Sequence, residues 1–480
     1  MAAHPKQLYI LFFTEMWERF SFYGMRTLLL AYMVTELKFD EPKSYAIAAS
    51  YASLVYTMPI FGGLLADKIL GFRKAVFWGG ILMVTGHLVL AIPQDWSFFY
   101  GMAFIICGNG FFKPNISSLV GTLYAPNDPR KDSAFSFFYM GINFGAAFGG
   151  AICGYVGRQV NWHLGFGLAG IFMILGMIIF SYGQKQLGDR GLPPATAPTK
   201  SVAGLKPDKL VYLVTLLVLP VVVLLFHQYE MMDWIMLSLG TLSLIYIFYI
   251  SSGLEKAARY KLFAATVLII SSVVFWSFYE QTHGSLNLFA IRNVDMHAFG
   301  MDLPPLSVNN FLPPFWVITL SPVFAWLWLA LNKRGWEPGT PVKFALSFFF
   351  VALGFYIFYL GCQMNTGGLI PLFAFTSGYF VMICGELCLS PIGLSMITKL
   401  SPVKTVGMMM GIWFLATAIG EFLAGKIGSL MAVPKGIENP VETLPYYSEI
   451  LKNIALASVA VAVILFCIVP LLKKWMKDVR

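Results

Sequence analysis

The sequence predicts an all-α polytopic membrane protein, built as two six-helix bundles with an inserted two-helix hairpin. The 480 residues are 58% hydrophobic and only 12% charged, with a mean hydropathy of +0.71, whereas a soluble domain carries about 25% charged residues. Fourteen apolar stretches are each long enough to cross a bilayer as a helix. They fall into groups of six, two and six along the chain.

Hydropathy places an N-terminal bundle within residues 1–184, a linker with the hairpin within 185–255, and a C-terminal bundle within 256–480. The first six predicted spans are 8–36, 45–67, 75–93, 97–122, 132–157 and 162–183. The hairpin spans are 209–228 and 231–252. The last six are 260–285, 306–331, 343–362, 367–399, 404–431 and 447–472. Two such bundles are a common carrier architecture, with substrate bound at their interface. The hairpin is predicted to be a structural appendage.

The placement of the basic residues predicts the orientation. The net charge of +9 could suggest nucleic-acid binding, but most of the 33 Lys and Arg residues fall in alternate loops of this scheme. This is the positive-inside pattern, so both termini are expected in the cytoplasm and no nucleic acid is expected as a partner. The first apolar run is too long for a cleavable signal peptide. The six cysteines lie in apolar segments, so neither a disulfide nor a metal site is expected.

The first span carries four full charges. Each would cost roughly 2.5–3.5 kcal/mol at the bilayer centre if it faced lipid. At 100° per residue, Glu15, Glu18, Arg19, Tyr23 and Arg26 share one helix face. That face is therefore expected to line a protein interior or a water-filled path, as a proton-coupled carrier requires.

Other polar side chains lie deep in later spans, where ionisable groups are functional candidates. They are Lys113 in span four, Glu280 in span seven, and Glu386 with Ser390 one turn later in span ten. Tyr139 and Asn143 in span five are candidates too, although they could equally be interhelical hydrogen-bond partners. Trp276 and Trp413 could equally be packing aromatics.

The charge count of this set suggests proton coupling. Four acids (Glu15, Glu18, Glu280, Glu386) face three bases (Arg19, Arg26, Lys113), which leaves one excess negative charge. One bound proton would neutralise the set, and a zwitterionic substrate would add no net charge. A protonated, loaded carrier could thus reorient without exposing a net charge to low dielectric.

Several motifs resemble known families. The loop 62–74 resembles the signature loop of the major facilitator superfamily. Glu15–Gly24 is similar to the ExxERFxYYG element of the proton-dependent oligopeptide transporter (POT) family, with Phe22 in place of the first tyrosine. Four further elements match that family: Gly110–Asn115, Phe138–Asn143, Glu280–Gln281 and Gly385–Leu387. The fourteen-span layout is similar to prokaryotic members, which carry the same inserted hairpin, and it implies the major facilitator fold.

The resemblance implies a role for each candidate residue. Glu15, Glu18 and Arg19 would couple transport to protons, and Glu280 would be a second proton-responsive group that pairs with Arg26. Arg26 and Lys113 would bind the peptide carboxylate, and Glu386, on the face that also carries Ser390, would bind the amino terminus. The remaining substrate contacts would come from Tyr23, Tyr56, Tyr139, Asn143, Trp276 and Trp413.

The expected function is proton-coupled import of di- and tripeptides across the cytoplasmic membrane of a bacterium. Protons would be the coupling ion, and no enzymatic activity, cofactor or obligatory protein partner is expected. The same fold could carry another small solute such as nitrate or a sugar, although an anion carrier would not need Glu386. A polytopic enzyme or receptor is the other alternative, but no zinc-binding histidine pair, nucleophile elbow or Cys/His pair is evident.

Two positions depart from the family pattern. Pro313 stands where the family has an asparagine before Pro-x-aromatic, which puts substrate selectivity in question, although Asn309 and Asn310 lie one turn earlier. Glu421 stands where the family often has asparagine, and an extra acid there could change the pH dependence.

Overall fold

The computed structural model describes residues 4–125, 128, 130–198, 200–201, 204–402 and 405–476, and their fold is almost entirely helical. The all-α prediction is confirmed. The first six long helices are α1 (Lys6–Thr35), α2 (Glu41–Leu65), α3 (Gly71–Leu90), α4 (Asp95–Thr122), α5 (Arg130–Tyr155) and α6 (Trp162–Gly183). The inserted pair is α7 (Pro207–His227) and α8 (Met231–Ser252). The remaining helices are α9 (Lys256–Tyr279), α10 (Ser285–Asn293), α11 (Pro305–Lys333), α12 (Thr340–Gln363), α13 (Leu372–Leu400), α14 (Val406–Ser429) and α15 (Pro440–Met476).

Local sequence explains several helix ends. Proline occupies the first turn of α7, α11 and α12, where its missing N–H costs no hydrogen bond. The side chain of Asn161 caps α6, since its Oδ1 accepts from the N–H groups of His163 (2.9 Å) and Leu164 (3.2 Å). Five-residue π-helical segments, Ala66–Leu70 and Val156–Val160, follow α2 and α5.

The region between the seventh and eighth predicted spans holds structure that the sequence did not predict. The predicted span 260–285 ends as a helix at Tyr279, a short 3-10 turn (Glu280–Thr282) follows, and α10 then begins. A small hairpin of β1 (His297–Ala298) and β2 (Met301–Asp302) precedes α11. Its two turn residues, Phe299 and Gly300, have φ of 55° and 75°, as a tight two-residue hairpin turn requires.

Eleven helical stretches of the described residues are long and apolar enough to cross a membrane. One of them, Glu41–Leu90, contains both α2 and α3. The charged residues of α1 exclude that helix from the set, although it is 30 residues long. The chain is thus a multi-pass membrane protein by length and composition, and the count of fourteen spans stays a prediction.

The helices group into two compact units. The first comprises the chain up to Tyr32, Ser50–Tyr229 and Leu306–Pro314; the second comprises Met33–Ala49, Glu230–Pro305 and the chain from Phe315 onward. In the first unit α3 packs along α4 and α6, while in the second α12 packs along α13 and α15, and α9 along α14. Helix α7 belongs to the first unit and α8 to the second. All six cysteines are free thiols, and only Cys467 is exposed.

Close approach of α1 and α5 in the first unit depends on a glycine stripe. A Cβ on Gly141 would lie 2.8 Å from the Phe12 ring, one on Gly149 would collide with the Phe20 carbonyl, and one on Gly145 would collide with the Met16 carbonyl. Small residues at this four-residue spacing let membrane helices pack backbone to backbone. The stripe therefore sets the position of α1 and its charged face.

We expect Gly145→Ala to destabilise the folded protein by roughly 1–3 kcal/mol, because the added methyl group meets backbone that cannot move aside. Gly121→Ala is the matched control, since its Cβ would find its nearest neighbour, Phe135 Cζ, at 3.9 Å. Thermal unfolding of the purified proteins in detergent measures both. Equal midpoints for the two variants would show that the close approach of α1 and α5 is not required.

Candidate functional site

A buried ion cluster occupies the middle of α1 in the first unit. The guanidinium group of Arg19 binds both carboxylate oxygens of Glu18: Nε donates to Oε2, and Nη2 donates to Oε1 at 2.6 Å. Arg19 Nε also lies 3.4 Å from Glu15 Oε1, one turn earlier. All three side chains are at most 2% exposed. One base thus bridges two acids in a buried setting, so that gaining or losing a single proton decides the local charge balance.

Asn109 of α4 completes this cluster, and the sequence analysis missed it. Arg19 Nη2 donates to Asn109 Oδ1 at 3.1 Å, and Asn109 Nδ2 donates to the Val55 carbonyl of α2 at 3.1 Å. The amide therefore ties the cluster to two further helices. A signal was present, because Asn109 lies one helical turn before the candidate Lys113 on the same helix.

We expect Asn109→Ala to lower proton-driven uptake of dialanine several-fold per folded molecule, because a buried Arg19 N–H loses its acceptor. Asn115→Ala is the control: Asn115 is equally buried on α4, but its amide donates to backbone carbonyls, that of Phe111 at 2.7 Å. Both variants should lose comparable thermal stability. Equal uptake by the two variants would remove Asn109 from the coupling cluster.

Lys113 and Tyr56 meet in the first unit. The ammonium nitrogen of Lys113 lies 4.4 Å from the centroid of the Tyr56 ring, a cation–π contact between α4 and α2. Lys113 is only partly buried. The aromatic face partly compensates the positive charge of Lys113 and holds its ammonium group in one place. In that position the ammonium group can bind an anion.

The other four candidates in the first unit lie on α1 and α5. Arg26 is 7% exposed and Tyr23, one turn earlier, is half-buried. On α5, Asn143 Nδ2 donates to the backbone carbonyl of Tyr139 at 3.0 Å, so part of its hydrogen-bonding capacity is used within its own helix. The Tyr139 side chain is exposed, at 41%.

Glu386 is the central acid of the second unit. It lies on α13, is 8% exposed, and its Oε2 accepts a 2.5 Å hydrogen bond from the Tyr279 hydroxyl of α9. Tyr279 was not among the residues predicted from the sequence, although it lies between the candidates Trp276 and Glu280. Tyr279 orients one carboxylate oxygen of Glu386, and a hydroxyl donor stabilises the ionised form without neutralising it.

Aromatic residues surround these groups in the second unit. Trp276 packs edge-on against Tyr279, with centroids 5.5 Å apart. Trp413 of α14 is 6% exposed, and a Cβ on Gly393 of α13 would collide with its indole ring. Gly393 therefore makes the space that Trp413 fills. Both tryptophans pack against other residues of the second unit, and their contact with substrate stays a prediction.

Glu280 and Ser390 are the last two candidates. Glu280 begins the 3-10 turn after α9 and is 8% exposed, while Ser390 is half-buried on α13. The neighbouring Gln281 holds this helix end: its Nε2 donates to Ser277 (3.0 Å) and Ala424 (2.9 Å) carbonyls, and its Oε1 accepts from Ser285 at 2.7 Å. The position of Glu280 is thus fixed by its neighbour.

An ion pair in the second unit, between half-buried Arg292 and buried Glu41, was not predicted. Arg292 Nη1 lies 2.6 Å from Glu41 Oε1 and 2.9 Å from the Tyr447 hydroxyl. The Val433 N–H donates to the other Glu41 oxygen at 2.9 Å. The pair joins the start of α2 to α10 and α15. No local pattern reveals it, because its members are far apart in the sequence.

The two departures from the family pattern lie on α11 and α14. Asn309 and Asn310, one turn before Pro313, are 0% and 3% exposed, and Asn310 Nδ2 donates to the Leu306 carbonyl at 2.9 Å within the helix. Glu421 is 3% exposed on α14. Further along the same helix, Lys426 forms an ion pair with Asp233 of α8 at 2.7 Å.

The candidates thus form a different set in each unit. The first unit holds both acids and bases, with Arg19 and Lys113 in direct contact with other candidates. Among the candidates in the second unit the ionisable ones are the acids Glu280 and Glu386. Cationic groups for a carboxylate and an acid for an ammonium group are both present, with Arg26 and Glu386 buried and Lys113 partly buried. Charge-assisted hydrogen bonds are strong in such settings.

Comparison with known proteins gives one consistent family. A sequence model of the POT family matches residues 73–444. An uncharacterized transporter of Bacillus subtilis (strain 168), YclF, is 36% identical over 99% of this chain and 96% of its own length. Dipeptide and tripeptide permease A of Erwinia pyrifoliae is 34% identical, over 99% of this chain and 95% of its own.

A solved structure agrees with these relatives. The crystal structure of peptide transporter POT in complex with sulfate has a TM-score of 0.86 to this chain. The two are 36% identical in sequence, and the match covers 99% of this chain and 96% of the other.

Proposed function

The chain belongs to the POT family and has the major facilitator fold, and from this premise we propose that it imports di- and tripeptides together with protons by alternating access. The observation that carries this proposal is the division of charge between the two units. Buried or half-buried cations, Arg26 and Lys113, lie in the first unit, and the acid Glu386 lies in the second.

A short peptide offers complementary groups at both ends. Its carboxylate is the ligand for Arg26 and Lys113, and its ammonium group is the ligand for Glu386. Charge-assisted hydrogen bonds to both termini orient the backbone, which is common to all peptides. Tyr23, Tyr56, Tyr139, Asn143 and Ser390 add neutral hydrogen bonds to it. Specificity for the backbone leaves the side chains free to vary.

Aromatic residues of the protein accommodate the side chains of the transported peptide in this proposal. Trp276 and Trp413 offer large apolar faces that gain contact area without demanding a particular side chain. The Tyr56 ring holds Lys113 at 4.4 Å and limits the positions that the ammonium group can take. We therefore expect broad acceptance of di- and tripeptides with apolar side chains.

The proton is the coupling ion in this proposal. Arg19 faces two acids, Glu15 and Glu18, so that the cluster carries one excess negative charge when both are ionised. Protonating one of them restores local neutrality. Because the proton binds outside and is released in the cytoplasm, where its concentration is lower, net import of peptide follows the proton gradient.

Two ion pairs would alternate during the cycle. Arg26 would pair with Glu280 in one state and Lys113 with Glu386 in the other. Breaking either pair leaves buried charges that are costly unless a proton or a peptide terminus replaces the lost partner. This exchange links substrate binding to reorientation.

The cellular setting follows from the sequence pattern. The chain is a multi-pass membrane protein, and we place it in the cytoplasmic membrane of a bacterium with both termini in the cytoplasm. It needs no cofactor besides the proton and no protein partner, and it catalyses no chemical reaction.

Competition in proteoliposomes tests the substrate class. The purified chain is reconstituted alone, and uptake of radiolabelled dialanine is measured with excess unlabelled dialanine, trialanine, nitrate or glucose outside. The proposal predicts inhibition by both peptides and none by nitrate or glucose. Inhibition by nitrate or glucose with no effect of trialanine would assign the same fold to another solute, and absence of uptake would favour an enzyme or receptor.

A further inference from the structure

Three helix ends of the second unit meet at one place. The rings of Tyr260, near the start of α9, and Trp475, near the end of α15, stack with centroids 5.9 Å apart and planes 2° from parallel. Lys473 reaches the start of α12, where its Cε would lie 3.8 Å from a Cβ on Gly339. The end of α15 therefore touches both α9 and the loop that joins α11 to α12.

This junction gathers an excess of positive charge. Its basic side chains are Lys256, Lys261, Lys333, Arg334, Lys473 and Lys474, of which all but Lys261 are exposed. Within the described part of the chain, none of the six forms an ion pair. By contrast, Lys74 binds Asp208 at 2.7 Å and Arg130 binds Asp128 at 2.8 Å in the first unit.

The acids nearby do not cancel this charge. Glu337 is occupied, because Lys343 Nζ and Asn332 Nδ2 each donate to it at 2.6 Å. The Lys343 hydrogen bond lowers the pKa of Glu337, which stays ionised and bound to its own lysine. Glu255 is exposed in the connection before α9. One acid against six bases leaves a strongly positive surface.

Aromatic residues fix the depth of this surface relative to the bilayer. Trp336, in the same α11–α12 loop, is 72% exposed, and Tyr260 and Trp475 are half-buried. Tryptophan and tyrosine prefer the level of the lipid headgroups at the membrane boundary. We therefore expect the six basic side chains to lie at the level of lipid phosphates, with apolar ring surface beside them for the start of an acyl chain.

We propose that this junction binds the phosphate headgroup of an anionic phospholipid of the cytoplasmic leaflet, of the phosphatidylglycerol type. The basic residues supply the charge for the phosphate, and the Tyr260–Trp475 stack supplies the apolar floor. Basic pockets between helix ends on the cytoplasmic side are the setting in which such headgroups are held. The inference rests on the proposed orientation, with both termini in the cytoplasm, and is independent of the transported substrate.

Native mass spectrometry of the full-length protein in detergent tests the proposal. Phosphatidylglycerol and phosphatidylcholine are titrated separately, and bound lipid is counted. We expect the unmodified protein to bind phosphatidylglycerol about tenfold or more tightly than phosphatidylcholine. The reason is that each basic side chain near the membrane surface adds to the attraction for an anionic headgroup. The triple variant Lys333→Gln, Lys473→Gln, Lys474→Gln should lose this preference.

Two control variants distinguish a lipid site at this junction from a general effect of the protein's positive charge. Lys185→Gln, Lys200→Gln, Lys206→Gln removes the same charge from exposed positions of the linker after α6 and should keep the preference. The charge-preserving variant Lys333→Arg, Lys473→Arg, Lys474→Arg should also keep the preference for phosphatidylglycerol. The proposal is overturned if the glutamine triple variant binds phosphatidylglycerol normally, or if the linker variant loses the preference equally.

A soluble competitor distinguishes a site for a phospholipid from a site for a free phosphate group. Glycerol phosphate carries the same anionic group without acyl chains, and at millimolar concentration it should not displace bound phosphatidylglycerol. Displacement would show a site for a free anion and would contradict the lipid assignment.

Discussion

Replacing Glu386 with glutamine is expected to reduce dialanine uptake about ten- to a hundredfold at low substrate concentration. The substitution keeps the shape and the oxygen that accepts from Tyr279, but removes the charge that would bind the peptide ammonium group. A hydrogen bond to a charged group contributes roughly 1.5–3 kcal/mol, which gives this range. Initial uptake rates in proteoliposomes over a range of dialanine concentrations measure it, and the loss should lie mainly in KM.

A substrate analogue makes this test specific. N-propionyl-alanine has the shape of dialanine without the ammonium group, so the unmodified protein should strongly prefer dialanine. The Glu386→Gln variant should discriminate little between them. Tyr279→Phe is the matched control, because it removes the hydroxyl donor and leaves the charge of Glu386. If Glu386→Gln still prefers dialanine as strongly, Glu386 does not bind the amino terminus.

Glu18→Gln is expected to abolish accumulation of dialanine against its concentration gradient while sparing exchange of labelled for unlabelled dialanine. Glutamine cannot take up and release a proton, so Arg19 would face one ionisable acid in place of two. Exchange needs only the loaded carrier to reorient, whereas net accumulation needs the proton to leave. Both are measured in the same proteoliposomes, with and without a pH gradient.

An exposed acid at the end of the same helix is the control. Glu36 follows α1 directly and is exposed, so Glu36→Gln should accumulate dialanine as the unmodified protein does. Undiminished pH-driven accumulation by Glu18→Gln would take that residue out of the coupling mechanism. Loss of exchange as well would mean that Glu18 serves the structure of α1 and not the proton.

Much of the fold could be predicted because the membrane imposes simple rules. A helix must satisfy its own backbone hydrogen bonds in lipid, so long apolar runs predict helices with little ambiguity. The charged face of α1 was visible for the same reason, since Glu15, Glu18 and Arg19 would be costly in lipid. The Glu15–Arg19 contact follows from the four-residue spacing, whereas the contact of Arg19 with its immediate neighbour Glu18 does not.

The contacts that the sequence did not reveal join distant segments. Asn109 and Tyr279 are ordinary polar residues whose importance depends on which side chain lies opposite, Arg19 and Glu386 respectively. The Glu41–Arg292 pair similarly has no local pattern. Helix α10 was not predicted because its nine residues, Ser285–Asn293, are too few and too polar to be recognised as a membrane span.

Accumulation of dialanine in sodium-free proteoliposomes, driven only by an imposed pH gradient, tests the central claim most directly. With the outside acidic, the internal concentration should rise above the external one, and the ratio should increase with the size of the gradient. An internal concentration that never exceeds the external one at any gradient, or accumulation that begins only when sodium is added, would contradict proton-coupled peptide transport.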